Sequence, residues 1–349
     1  MRSPMTRLFL LFFAFFLTFL VRAQDPQYSQ FYAIPMYMNP AFAGSAQVGR
    51  LSAIYRNQWP TLEANYTTFS AAADYYFPNA QSGVGLIATH DIQGFANLQS
   101  TEIAGQYAYQ VDMTRTLRLR MGLQAAYVNR GVDYFGLTFG DQFDNRGFRR
   151  VPTGEVLSAN RRSYGDISTG AVLFTPQFYM GLSGHHLNRP NQSFLGDREA
   201  ASQLPIRYTF ITGYKFALDP QTKRGLQRGQ SFREVSFSPA LLYMAQGKFD
   251  QLNLGMYLTY EPFVIGGWYR GLPIKQYEQG LQNNEALILL LGLNTQGLSI
   301  GYSYDVTIST LGFTTGGAHE ISVTYTFPRP NERRGSLFQH GAGIPCPTY

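Results

Sequence analysis

The chain has 349 residues, of which 44% are hydrophobic, 15% aromatic and only 14% charged. Average soluble proteins carry about 25% charged residues, so a string of ordinary soluble domains fits this composition poorly. With 35 Gly, 24 Tyr, 27 Phe and a mean hydropathy of −0.18, the residues suit strands that are greasy on one face and polar on the other.

The N-terminus reads as a secretory signal. Arg2 and Arg7 form a positive region, and Leu8 to Val21 is apolar apart from Thr18. A helix needs about 20 residues to cross a bilayer, so this stretch is short for a transmembrane anchor. Val21-Arg22-Ala23 puts small residues at both cleavage positions, which places cleavage after Ala23 and makes residues 1–23 the signal peptide. The formal charge of +6 includes the signal's Arg2, Arg7 and Arg22; without them 25 basic residues face 22 acids. No basic-aromatic cluster points to nucleic acid. The lysines are 215, 223, 248 and 275, and the other basic residues are arginines. A guanidinium fork suits carboxylate or phosphate contacts in a polar wall. The lone Cys346 has no internal disulfide partner; it is either unpaired and inert or modified.

Residues 24–48 follow the signal. Pro26, Pro35 and Pro40 forbid a long helix there, and Tyr28, Phe31, Tyr32, Tyr37 and Phe42 make it aromatic. The segment either plugs a lumen or lies against a periplasmic rim. From 49 to 327 the chain reads as strands with side chains alternating between faces. The run 116–128 puts Leu117, Leu119, Met121, Leu123, Ala125 and Tyr127 on one face. Arg118, Arg120, Gly122 and Gln124 lie on the other. Leu298, Ile300, Tyr302 and Tyr304 alternate with Ser299, Gly301, Ser303 and Asp305. Ile321, Val323, Tyr325 and Phe327 alternate with Glu320, Ser322, Thr324 and Thr326.

Fourteen strands are expected, near 49–57, 66–77, 83–91, 99–112, 115–129, 163–175, 177–187, 205–218, 232–246, 248–260, 262–273, 284–294, 297–308 and 318–327. Runs of this length cross a membrane when tilted, and backbone groups in lipid are satisfied only if the sheet closes. The expected fold is all-β, a transmembrane antiparallel barrel of about 14 strands with short N- and C-terminal periplasmic extensions. An even count puts both barrel ends on the periplasmic side, with short turns after even strands and longer loops after odd ones. The loops 130–162, 188–204 and 274–283 obey; the tight 246–248 and the long, basic 219–231 do not. Aromatics at Tyr75-Tyr76-Phe77, Tyr107, Tyr109, Tyr257, Tyr260, Trp268 and Tyr269 are placed at the bilayer boundary. A soluble β-sandwich is disfavoured, because no units of about 100 residues appear. Residues 328–349 read as a periplasmic tail.

The motifs, taken in order, resemble the PorP/SprF family of outer-membrane proteins. They begin at Gln24-Asp25-Pro26-Gln27-Tyr28-Ser29-Gln30-Phe31-Tyr32 and Tyr37-Met38-Asn39-Pro40-Ala41-Phe42-Ala43-Gly44. They continue through Tyr55-Arg56-Asn57-Gln58-Trp59, Asp166-Ile167-Ser168-Thr169-Gly170 and Gly181-Leu182-Ser183-Gly184-His185-His186-Leu187. Gly247-Lys248-Phe249-Asp250-Gln251, Trp268-Tyr269-Arg270-Gly271-Leu272-Pro273, Gly301-Tyr302-Ser303-Tyr304-Asp305, His319-Glu320-Ile321-Ser322 and Pro345-Cys346-Pro347 complete them. The resemblance implies a component of type IX secretion and gliding motility. Such a protein anchors secretion or motor machinery, or a secreted adhesin held through its C-terminal domain. The implied partners are outer-membrane lipid with a periplasmic motor-ring lipoprotein, a peptidoglycan-binding subunit or that cargo domain. The alternative reading is a general porin.

No enzyme chemistry, cofactor or metal is expected. His185 and His186 are adjacent, so on a strand they face opposite ways. His319-Glu320-Ile321-Ser322 puts Glu320 and Ser322 on one face, read as polar wall. Gly83-Val84-Gly85 reads as a tight wall position. The partner-binding candidates are Arg56 and Trp59 near one mouth and Arg146, Arg149, Arg150, Arg161 and Arg162 in the long loop. Arg56 either contacts a partner or plug, or pairs with a wall carboxylate such as Asp74. The loop arginines are either solvated or dock an acidic cargo patch or lipid phosphates.

Overall fold

The computed structural model describes residues 25–133, 137–154, 160–194, 202–223, 233–278, 281–295, 297–309, 312–327 and 343–346, with backbone alone at 273–278, 281, 282 and 313. The barrel strands are β1 Arg50–Gln58, β2 Tyr66–Phe77, β3 Ser82–Gln93, β4 Leu98–Asp112, β5 Arg118–Gly131, β6 Arg161–Phe174 and β7 Phe178–His185. They continue as β8 Arg207–Tyr214, β9 Val235–Gln246, β10 Phe249–Tyr260, β11 Phe263–Glu278, β12 Leu281–Thr295, β13 Leu298–Thr307 and β14 Ala318–Thr326. Each pairs antiparallel with its neighbour, and β1 pairs with β14 from Arg50↔Thr326 to Gln58↔Ala318. The 14-strand sheet therefore closes. The pairing of β8 with β9 runs to Gly213↔Ala240, skips Tyr214 and Lys215, and resumes at Phe216↔Phe237. Pro239, beside this break, has no N–H to donate.

The alternation read from sequence sets the two faces. Leu123, Leu182 and Leu291 are each 61% exposed on the outer wall, while Arg120, Ser168 and Ser303 are 0% exposed on the inner one. Apolar side chains thus face lipid and polar ones face the lumen, opposite to a soluble protein. Both ends of the barrel chain, Arg50 and Thr326, share one rim. The connections 132–160 and 186–206 leave the opposite rim, which is the extracellular side when long loops face outward. The segment expected as a 274–283 loop is instead the tip of a hairpin, with β11 reaching Glu278 and β12 starting at Leu281. Irregularities after Arg270 and around Gln276 bend this hairpin, and Gly271 sits at φ +150.

The aromatic assignment needs correction at three positions. Tyr75, Tyr107, Tyr109 and Tyr260 face outward, but Tyr76, Tyr257 and Trp268 point inward and are buried. What they pack against is residues 25–49, which run the length of the lumen. Asp25 meets Arg207 and His186 at the extracellular end, and Gly49 lies by Phe327 and Tyr75 at the periplasmic end. Tyr28, Phe31, Tyr32, Ile34, Met36, Met38 and Phe42 form a core with Trp268, Tyr257, Tyr179 and Ile288. Phe31 meets Trp268 edge-on at 4.9 Å, and the Tyr32 and Tyr179 hydroxyls are hydrogen-bonded. The two remaining prolines start single 3-10 turns at Pro35–Tyr37 and Pro40–Phe42, the second capped by Asn39.

Inward-facing glycines make room for this backbone. A Cβ at Gly83 would strike the Ala43 carbonyl, one at Gly122 the Pro40–Ala41 peptide, and one at Gly170 the Asn39 amide. Of the expected tail only 343–346 are among the described residues, and there Ile344 and Cys346 pack against the plug core. Burial beside Tyr32 and Tyr179 pushes the Cys346 thiol up to about 12, so it is held as the unreactive thiol.

The wall assignment is testable at Leu289, in the middle of β12 and 63% exposed. Leu289→Arg is expected to cost about 2–4 kcal/mol, read from denaturant-dependent folding into lipid vesicles. A neutral substitution would mean that this face meets water.

Candidate functional site

The inner wall grips the plug in three layers. In the central layer, β1 carries Arg56, β11 Arg270, β13 Asp305 and β14 Glu320, all buried. Arg56 lies 2.9 Å from Asp305 and 3.0 Å from Glu320, and Arg270 reaches Asp305 at 3.0 Å. The two cations balance the two anions, as buried charge requires. Ser29 of the plug sits among them. Its hydroxyl donates to Asp305 at 2.7 Å and accepts from Arg270 at 2.8 Å and Arg56 at 2.9 Å. The Ser29 and Gln30 amides donate to the two Glu320 oxygens at 2.9 and 2.6 Å. Ser322 donates to the Gln30 side chain at 2.6 Å.

Toward the periplasm, Arg120 donates to the Ala41 carbonyl at 3.1 Å, to that of Ala43, and to Gln110 at 3.2 Å. Asp74 accepts from the Gly44 amide at 2.8 Å and pairs with Arg50 at 2.8 Å. The expected Arg56–Asp74 pair is thus replaced by Arg50–Asp74. Arg56 instead unites both readings made for it, since it binds wall carboxylates and touches the plug.

The outer layer forms a vestibule at the extracellular end. Asp25 pairs with Arg207 at 2.8 Å and His186 at 2.7 Å, and His186 also lies 3.1 Å from Asp166. Arg207 stacks over the Tyr37 ring at 5.0 Å. The sequence argument that the two histidines face apart fails here. The strand stops at His185, and His186 adopts φ +60. That turn brings both rings to one side, 6.3 Å apart, where they line one cavity. Burial opposes a charge on His186, but Asp25 and Asp166 outweigh it and push the imidazole up to about 10. Burial likewise opposes charge on Asp25, yet His186 and Arg207 hold its carboxyl far below the usual range.

The remaining candidates are not gathered into one site. Trp59 turns out of β1 at φ +58, donates its amide to Gly317 at 2.7 Å, and packs edge-on against Tyr66. Arg146, Arg149 and Arg150 are exposed on the small hairpin made by Phe143–Asp144 and Gly147–Phe148. Arg149 lies 3.8 Å from Asp144. Arg161 is exposed at the start of β6, and Arg162 donates to the Asn191 carbonyl at 3.4 Å. Ser29, Asp25, Arg207, Arg270 and Asp305 escaped the sequence reading. For Arg207, Arg270 and Asp305 the signal was a charged residue at a lumen position of an otherwise apolar-alternating strand; for Asp25 and Ser29 it was only their place in the family motif of the plug segment. Among the described residues no group of three His, Cys, Asp or Glu could hold a metal ion.

A closed antiparallel barrel with an apolar outer band and a polar, filled lumen is the architecture of an outer-membrane protein. The chain belongs to the PorP/SprF family of type IX secretion system membrane proteins, whose family model matches residues 20–325. No curated protein matches the sequence. Solved structures similar to this chain include the Ralstonia pickettii toluene transporter TbuX, at 13% identity and TM-score 0.45, with 84% of this chain and 93% of that one covered. A Pseudomonas aeruginosa FadL homologue matches at 11% identity and TM-score 0.41, covering 83% and 93%. Omp33 of Acinetobacter baumannii matches at 8% identity and TM-score 0.42, covering 80% and 98%.

Two predictions follow from the plug contacts. Glu320→Ala removes the acceptor of two plug amides and leaves Arg56 under-compensated. Breaking such a buried pair costs about 3–5 kcal/mol, measurable by equilibrium unfolding in detergent; a loss under about 1 kcal/mol, the scale of an exposed pair, would deny the cluster its role. The vestibule latch depends on pH in a defined direction. His186 holds its proton above the usual imidazole value near 6.5, so its contribution is full below that value and fades as pH rises toward about 10. The Asp25 contribution is present above the usual carboxylate range and goes as pH falls through and below it. Hydrogen exchange around Gln27 and Tyr28 should therefore accelerate between pH 6.5 and 10 beyond the ordinary base-catalysed trend. His186→Gln should abolish that excess.

Proposed function

We propose that this protein is a non-conducting anchor of the type IX secretion system, which holds a secreted protein at its extracellular end through that protein's C-terminal domain. The observation that supports the reading is the filled lumen. Residues 25–49 occupy it from end to end, and their contacts with Glu320, Asp305, Arg120 and Arg207 are buried ionic or hydrogen-bonded ones. A wall that binds its own chain this way has given up solute passage, so its work lies at its mouths. The extracellular mouth has the long connections and the charged vestibule, and rigid scaffolds present function on such loops.

The exposed hairpin with Arg146, Arg149 and Arg150 supplies cationic surface there, and Phe143 and Phe148, 5.4 Å apart, supply apolar surface. A general porin, the competing function, would need a lumen free of chain. An attachment point for periplasmic motor or peptidoglycan-binding subunits would use the opposite rim.

Deletion of the gene should release one cognate secreted protein from the cell surface while small-solute uptake stays unchanged. Retention of every secreted protein at the surface would refute the anchor. Affinity isolation from mild detergent should recover that secreted protein, whereas recovery of a periplasmic lipoprotein alone would move the contact to the other face. In planar bilayers the native protein should show no large steady pore. Gly122→Leu, which drives a side chain into the Pro40–Ala41 peptide, should produce one by expelling the plug. Steady large pores from the native protein would favour the porin.

A further inference from the structure

The vestibule beside Asp25 contains polar groups that neither the barrel nor the plug satisfies. It is a recess of about 60 Å³ lined by Asp91, Glu102, Arg130, Tyr164, Arg207 and the two histidines, with Ile87, Val128 and Leu204 as apolar wall. Its charges divide into two sets. Asp25, Asp166, His186 and Arg207 pair among themselves and balance. The second set is Asp91, Glu102 and Arg130.

The second set is under-bonded. Arg130 is only 9% exposed, yet its guanidinium makes no hydrogen bond or ion pair among the described residues. The Tyr164 hydroxyl likewise has no partner among the described residues. Glu102 accepts one bond, from Gln124 to Oε1 at 3.3 Å, and its Oε2 accepts none among the described residues. Asp91 is held by Thr68 at 2.6 Å and Gln93 at 2.5 Å, and it feels the charge of Arg130 without forming an ion pair among the described residues. Unsatisfied buried polar groups are costly, so idle donors and an idle acceptor in one recess point to a ligand that offers both acceptors and a cation.

We propose that the vestibule is a receptor for a lysine of an extracellular polypeptide. The ammonium enters between Glu102 and Asp91, and the carbonyl oxygens of the lysine's own backbone accept from Arg130 and Tyr164. An ammonium has three donors and no acceptor, which matches the two carboxylates. A cavity holds one water in roughly 10–15 Å³ of such space, so the recess has room for one extended side chain and is too small for a folded element. The recess opens among the extracellular strand ends of β3, β4, β5 and β8, so a chain approaching from outside meets it first. This inference rests on the reading that proteins dock at the extracellular mouth, and it names the chemistry they present there.

The test uses the full-length protein in detergent, titrated calorimetrically with Nα-acetyl-lysine methylamide. The norleucine and glutamate analogues serve as controls. The lysine probe should bind saturably, the norleucine probe at least tenfold more weakly, and the glutamate probe not at all. Glu102→Gln should weaken lysine binding about tenfold, the scale of one charge-assisted hydrogen bond. Tyr164→Phe, which removes only a hydroxyl, should weaken it severalfold while leaving heat-modifiable migration unchanged. Equal binding of lysine and norleucine, preference for glutamate, absence of lysine binding, or indifference to both substitutions would overturn the proposal. If the lysine probe binds but gene deletion releases no surface protein, the anchor reading fails and the receptor stands. If surface retention is lost on deletion but the probe does not bind, the reverse holds.

Discussion

A sheet that closes in lipid solves one problem and creates another. Closure satisfies every strand's backbone and removes free edges, but it encloses a space whose walls are polar and cannot collapse. Here that space is filled by the chain's own residues 25–49, and the inner wall is built to receive them. The balanced cluster of Arg56, Arg270, Asp305 and Glu320 is tolerable only because Ser29 and Gln30 complete its hydrogen bonds. The reverse is equally true. A proline-punctuated segment with three prolines and no regular hydrogen-bond ladder of its own depends on wall residues such as Arg120, Glu320 and Ser183 to pair its backbone. Wall and plug therefore form one cooperative unit.

The same constraint explains how much could be read from sequence. Alternation with period two is imposed by lipid on one side and lumen on the other, so the strands were legible from runs such as Leu117 to Tyr127. The family was legible because its motifs recur in order. What could not be read was partnership across the lumen. Arg56 lies 249 and 264 residues from Asp305 and Glu320, and only the register that joins β1 to β14 puts them together. Tyr257 and Trp268 were misplaced because an aromatic ring near a strand end serves lipid boundary and plug core alike. His186 was misplaced because one residue in a left-handed conformation cancels the alternation on which the argument relied.

The plugged lumen also separates stability from recognition. The apolar band and the central charge cluster fix the barrel. The extracellular rim, with its long connections, the Phe143–Phe148 hairpin and the half-satisfied vestibule, lies outside both.

The path of residues 25–49 has a consequence for biogenesis. The segment starts at the extracellular end, crosses the lumen to the periplasmic rim and runs there without interruption into β1, whose partner β14 is the last strand among the described residues. A finished cylinder could admit such a segment only by threading it through one mouth. Curling the sheet around it is the more economical route. Zipping of the Arg50–Thr326 seam would then be the last act of assembly, timed by the arrival of the final strand at the membrane.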